Sequence, residues 1–216
     1  MGTMTEPDRR FNPKHRDSLV SDERHTRWNP SRLLALAGLQ AKRSVLDLGC
    51  GPGFWTLPIA EIVGAVATVY ALDVSEEMLA ALIEQNPPLN VRTVQAELPS
   101  IPLPDASVDF IWAAFVFHEV QPPAVHAMEM YRVLRSGGRI AVLDWHPNAK
   151  GQSGPPRHHR FSPQQVEEFL RAAGFNHIQH AWQDEDAYLL LIDKLLQPGE
   201  NETQRPSQER SPSAAN

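Results

Sequence analysis

Ser44-Val45-Leu46-Asp47-Leu48-Gly49-Cys50-Gly51-Pro52-Gly53-Phe54-Trp55-Thr56, or SVLDLGCGPGFWT, decides how the rest of the chain is read. It opens as a short apolar run bounded by polar residues on one side and glycines on the other, the pattern of a buried parallel strand. Gly49, Gly51 and Gly53 then break the run. Lacking a Cβ, such residues let the backbone turn sharply and let a ligand lie against the main chain. Phe54 to Val63 repeats apolar residues at helical spacing, so the first free N–H groups of that helix point into the same turn. Strand, glycine turn and helix together predict a socket for a small polar ligand at the carboxyl end of a strand.

Outward from the socket, strand and helix patterns alternate. Pro30 to Ala37 reads as a short helix stopped by Gly38, and Ala67 to Leu72 as a second buried strand ending at Asp73. Ser75 is placed to cap a helix carrying Met78, Leu79, Leu82 and Ile83 on one face. Val91 to Gln95 is a third strand, Val108 to Ala113 a fourth, Pro123 to Leu134 a helix, and Arg139 to Asp144 a fifth strand after a Ser136-Gly137-Gly138 turn. Ser162-Pro163-Gln164-Gln165 is a capping box opening a helix with Val166, Phe169, Leu170 and Ala173 on one stripe. Asn176 to Trp182 and Ala187 to Asp193 form a closing hairpin. The alternation predicts an α/β fold, a Rossmann-like seven-stranded, mostly parallel sheet with helices on both faces and an antiparallel last strand. Residues 1–29 form a polar arm or lid, 30–196 the folded domain, and 197–216 a polar, Pro-rich tail expected to be disordered.

Composition narrows the function. With 216 residues, 42% hydrophobic and 21% charged, the chain suits one α/β body. A formal net charge of −6 disfavours capture of nucleic acid phosphates. The single Cys50 rules out an internal disulfide framework and a multi-thiolate metal site, and fits a reducing cytoplasm. No apolar run approaches the ~20 residues of a membrane span. His146, His158 and His159 invite a metal reading, but adjacent histidines are expected to point apart and no carboxylate lies near in sequence, so no metal is expected.

A dinucleotide fingerprint would need a third glycine where Phe54 stands; the pattern here is G-x-G-x-G. Asp73, twenty residues beyond Gly53, suits a ribose diol, since both hydroxyls can donate to one carboxylate. VLDLGCGPG, with its G-x-G-x-G turn, resembles motif I of the class I S-adenosylmethionine-dependent methyltransferases. VYALDVSEEML is similar to the segment ending in that family's ribose-binding acid, VQAELPSIPLPDASVDFIWAAFVFHEV to the adenine loop and fourth strand, and YRVLRSGGRIAVLDW to the helix and strand that follow. The resemblance covers roughly residues 30 to 193, and its wording is similar to the small quinone-biosynthesis type.

The resemblance implies that Gly49, Gly51 and Gly53 approach the methionine and ribose of S-adenosylmethionine, with Asp47 supporting the turn or the amino group. It implies that Asp73 takes the ribose hydroxyls, Val74 and Met78 flank the adenine, and Glu97, with the Ala96 and Leu98 backbone, meets the adenine amino edge, where Asp is commoner. It implies that Phe115 sits near the sulfonium. Sulfonium is already electrophilic, so the protein mainly has to align a nucleophile and keep water out; a base is needed only if the nucleophile arrives protonated. His118 and Glu119 are the best-placed candidates for that base, ahead of His146. The expected function is methyl transfer to a small-molecule acceptor. The alternatives are a catalytically silent S-adenosylmethionine-binding protein, separable by His118 and a closed pocket beside Phe115, and a nucleotide-cofactor oxidoreductase, disfavoured by Phe54. Arsenite chemistry is disfavoured by the lone cysteine. The acceptor and the oligomeric state are not written in the sequence.

Overall fold

Alternating side chains explain why the sheet is covered on both faces. In β1 (Val45–Leu48) all four residues are buried; Val45 packs with one apolar cluster, Leu46 and Leu48 with another. β4 (Val108–Ala114) repeats the division, with Phe110, Trp112 and Ala114 on the first face and Val108, Ile111 and Ala113 on the second. Two buried faces demand a layer of helices on each.

The computed structural model describes residues 11–149 and 154–196. A 3-10 helix at Pro13–Val20 leads into α1 (Asp22–Trp28) and α2 (Pro30–Leu36). After β1 come α3 (Thr56–Val63), β2 (Val69–Asp73), α4 (Glu76–Glu84), β3 (Val91–Gln95) and β4. Then follow a 3-10 turn at Phe117–Glu119, α5 (Pro123–Val133), β5 (Leu134–Trp145), a second such turn at Arg157–His159, α6 (Pro163–Ala172), β6 (His177–Gln183) and β7 (Ala187–Asp193). The seven strands stand in the order β3-β2-β1-β4-β5-β7-β6, all neighbours parallel except that β7 runs antiparallel to β5 and β6. This is the Rossmann-like architecture expected, and β1 lies where the strand order reverses.

Local chemistry sets the element ends. Ser75 Oγ accepts from the Met78 N–H at 3.3 Å, and the Ser162–Gln165 capping box closes in both directions at 2.9 and 3.2 Å. Several element ends shift by one or two residues from the sequence reading, and two differences have a clear local cause. α3 starts at Thr56 rather than Phe54, because Phe54 and Trp55 finish the glycine turn and pack edge to face, with ring centroids 4.9 Å apart. Ser136-Gly137-Gly138 is not a free turn but lies inside β5, where the Gly137 N–H donates to the Lys194 carbonyl at 2.7 Å and the Lys194 N–H to that of Gly138 at 3.0 Å. The expected tail, 197–216, and the first ten residues of the arm lie outside the described residues. Among the described residues no helix is long and apolar enough to cross a membrane.

Candidate active site

The carboxyl ends of β1, β2, β4 and β5 open into a cavity of about 710 Å³, within the range of small-molecule sites. Its floor is the turn from Gly49 to Pro52. One wall runs from Asp73 to Met78, another from Ala114 to Glu119, and Trp145 with Gly154, Pro155, His158 and His159 closes a third side. Segment 11–28 roofs it through Phe11, Leu19, Arg24 and Trp28.

The glycines serve more than one purpose. All three have left-handed backbone, φ 64° at Gly49, 52° at Gly51 and 98° at Gly53. A Cβ at Gly49 would fall 2.7 Å from Val116 Cγ2, and one at Gly53 2.5 Å from Leu82 Cδ1. Gly49, Cys50, Gly51 and Pro52 therefore present main chain to the cavity, while Gly53 packs against α4 and is not part of the lining. Asp73 is tied to the same turn: its Oδ2 accepts from the Gly51 N–H at 2.8 Å and its Oδ1 from the Ser75 N–H at 2.9 Å. Burial raises its pKa, and these hydrogen bonds hold it back. Val74 and Met78 follow on the cavity wall.

Other expected residues stand further off. Asp47 is 1% exposed and lies outside the cavity lining; its Oδ2 accepts from Thr56 Oγ1 at 2.6 Å and its Oδ1 has no partner among the described residues. Burial pushes its carboxyl up to about 7. Ala96 is held beside Asp73, donating its N–H to the Asp73 carbonyl at 3.1 Å, but Ala96, the exposed Glu97 and the half-buried Leu98 are not part of the lining. His146 also stays outside. His158 and His159 do not point apart as expected: the turn at Arg157–His159 folds their rings edge to face at 4.3 Å. Among the described residues no group of three or more His, Cys, Asp or Glu is arranged to hold a metal.

His118 is 3% exposed and Asp144, at the end of β5, 1%. Asp144 Oδ1 lies 2.7 Å from His118 Nδ1 and Oδ2 accepts the His118 backbone N–H at 3.1 Å. A carboxylate facing Nδ1 requires the proton there, which leaves Nε2 as the free acceptor. That Nε2 is 3.8 Å from Glu119 Oε1, and both residues line the cavity. Burial works to lower the His118 pKa, but the charge and hydrogen bond of Asp144, with Glu119, outweigh it and hold the ring above the ordinary histidine value. Burial pushes the Glu119 carboxyl up to about 7, against the pull of His118. Its Oε1 also accepts from the Phe11 N–H at 3.1 Å, which ties the roof to this wall. Asp144 was not singled out from sequence; the signal was an acid at the carboxyl end of a strand, the same rule that marks Asp73.

The remaining wall is aromatic. Phe115 has left-handed backbone at φ 58°, a conformation costing an L-residue roughly 1–2 kcal/mol, and its ring meets Trp28 and Trp145 at 4.8 Å each. Such rings suit a sulfonium cation. The bare turn, the tethered acid Asp73, the apolar pair Val74 and Met78 and this aromatic wall line one cavity, and their chemistry suits S-adenosylmethionine.

Comparisons with known proteins agree. Residues 46–142 match the family described as methyltransferase domain. The chain is 31% identical over 137 residues to a demethylmenaquinone methyltransferase of Geobacillus sp., covering 61% of this chain and 58% of that protein. It is 32% identical over 139 residues to the corresponding protein of Listeria monocytogenes, covering 62% and 58%. The alignments thus span under three fifths of these curated relatives. The crystal structure of a SAM-dependent methyltransferase from Aquifex aeolicus superposes with a TM-score of 0.77 at 30% identity, over 85% of this chain and 98% of that one.

Proposed function

The chain belongs to the class I S-adenosylmethionine-dependent methyltransferases, and from that premise we propose that it transfers a methyl group to a small-molecule acceptor that loses a proton to His118. The observation that carries this reading is the shared cavity in which a buried His118–Asp144 pair stands with Phe115 and the glycine turn. A silent cofactor-binding protein has no use for a buried, carboxylate-oriented imidazole facing the same space.

The Gly49–Pro52 main chain and Asp73 hold the adenosyl end. When bound, the cofactor supplies an electrophilic methyl on sulfur. The acceptor lies between Phe115 and His118, its nucleophilic atom in line with that methyl. His118 Nε2 takes the acceptor's proton as its nucleophilicity develops, and Asp144 holds the ring in the required tautomer and stabilises the imidazolium. Glu119 shares the field around Nε2. The roof from Phe11 to Trp28 keeps water out. The curated relatives are named for a demethylated quinone; the hydroquinone form of such a compound matches these demands, since it is planar, apolar and enters with a protonated oxygen.

Methyl-labelled cofactor offered with a panel of hydroquinones, phenols and amines tests the proposal. The expected result is label in a hydroxylated aromatic acceptor, lost in His118→Ala while calorimetric cofactor affinity is kept. Cofactor binding without turnover on any panel member would favour the silent reading, and binding of NAD in its place would overturn both.

A further inference from the structure

Arg24 is a cation in an aromatic roof with no anion paired to it among the described residues. Its guanidinium carbon stands 5.0 Å from the Phe54 ring centroid and 5.2 Å from that of Phe115. Its Nε is buried without a hydrogen-bond partner, and among the described residues no carboxylate pairs with it. Arg27, one turn along the same helix, is by contrast paired with Asp186. Burial drags the Arg24 pKa down to about 10, which still leaves the group charged at neutral pH. Stacking on two rings offsets part of the desolvation, but a half-buried guanidinium keeps its directional N–H groups to satisfy. A planar fork of donors facing a cavity fits a carboxylate in two-point contact.

The position says which carboxylate. Phe54 follows the glycine turn directly and Phe115 follows β4, so the guanidinium hangs over the junction of β1 and β4. Asp73 ends β2, on the other side of β1. A nucleoside with its ribose at Asp73 and its 5′ chain across Gly49 to Gly51 therefore directs the far end of that chain towards Arg24. Leu19 of the roof also reaches the turn, 3.6 Å from where a Gly51 Cβ would stand.

We propose that Arg24 receives the carboxylate at the amino-acid end of S-adenosylmethionine, so that the bound cofactor supplies the counter-ion that latches helix α1 over the cavity. The proposal rests on the cofactor reading above and adds a residue and a closing device to it. The acceptor is a second possible source of a carboxylate, and the test separates the two.

Titration calorimetry compares S-adenosylhomocysteine with its decarboxylated analogue, S-adenosyl-3-thiopropylamine, on the wild-type chain, Arg24→Gln and Arg24→Lys. A hydrogen-bonded charge pair of this kind is worth roughly 10- to 100-fold in affinity. The expected result is that Arg24→Gln weakens S-adenosylhomocysteine by that factor, leaves the analogue unchanged, and that Arg24→Lys recovers part of the loss. In parallel, S-adenosylhomocysteine slows amide exchange in residues 22–28 of the wild type and not of Arg24→Gln. Equal weakening of both ligands means that Arg24 only packs the roof and overturns the proposal. Unchanged affinities, with benzoate binding to the S-adenosylhomocysteine-loaded wild type but not to the variant, assign the carboxylate to the acceptor and overturn it too. If the wild type binds neither nucleoside, the cofactor reading itself fails, an outcome distinct from the other two.

Discussion

Asp144→Asn changes one oxygen to an NH2 at nearly constant volume and is the sharpest probe of the site. The two Asp144 oxygens accept from His118 Nδ1 at 2.7 Å, the Trp145 N–H at 2.7 Å and the His118 N–H at 3.1 Å. An amide cannot accept on both sides. With its oxygen towards Nδ1, the NH2 confronts the His118 N–H and one hydrogen bond to a charged acceptor is lost, costing about 1.5–3 kcal/mol. Flipped, the NH2 donates to Nδ1, drives the ring proton to Nε2 and removes the base. Either way the imidazolium loses its counter-charge, and the methyl-transfer rate should fall about 10²- to 10⁴-fold.

The stability loss carries a sign in pH. In the native chain the His118 pKa is raised above the unfolded value: burial lowers it, but the Asp144 charge and hydrogen bond and the Glu119 charge prevail, with Arg160 opposing. A raised histidine contributes stability that is complete below its unfolded pKa and fades as pH rises through the folded one. Without Asp144 the burial effect remains and the main source of the increase is gone. The gap between wild type and variant, from urea denaturation, should therefore be larger at pH 6 than at pH 9. Long-range proton–nitrogen NMR should find the wild-type ring protonated at Nδ1 when neutral. A gap equal at both pH values, or a neutral wild-type ring carrying its proton on Nε2, would refute the assignment and reduce Asp144 to packing.

Three further outcomes follow from buried groups and the turn. Asp47→Asn keeps an acceptor for Thr56 Oγ1 and removes a carboxyl that burial pushes up to about 7; a raised carboxyl loses stability as pH climbs from its unfolded value through about 7, so the variant should gain roughly 2–4 kcal/mol at pH 8 and little at pH 4 in urea melts. His126, 0% exposed against Phe117 and with neither ring nitrogen partnered among the described residues, has its pKa lowered by burial to about 4. As pH falls below the unfolded histidine value the native state is penalised, so His126→Leu should stabilise by about 2 kcal/mol more at pH 5 than at pH 8, read as melting temperature. Gly49→Ala meets both a left-handed φ of 64° and Val116 Cγ2 at 2.7 Å; it should cost about 2–3 kcal/mol and weaken S-adenosylhomocysteine at least ~10-fold by calorimetry.

What the sequence makes legible here is whatever local periodicity and turn chemistry dictate. Two-residue alternation and short apolar runs announce the strands, and β3 and β7 fall on the expected residues. The glycine turn, with the acid that closes β2, locates the cradle. What escapes is contact closed only by the third dimension. Twenty-six residues separate His118 from Asp144, and nothing local links them. They meet because β4 and β5 run parallel in a register that pairs Ala114 with Leu143, so Asp144, near the end of β5, shares one patch with the residues just past β4. Arg24 is harder still, since the rings it covers follow two different strands and its own helix is a seven-residue polar stretch with no apolar stripe. The same separation explains the misplaced start of α3. Phe54 and Trp55 have helical spacing, yet His25 at 4.5 Å from Phe54 and Trp112 at 4.8 Å from Trp55 reward the rings for staying in the turn. Cofactor recognition is thus written where one strand meets one turn. The acid–base pair and the roof depend on the whole sheet being assembled first, so substitutions in the β4–β5 pairing should disturb turnover more than cofactor affinity.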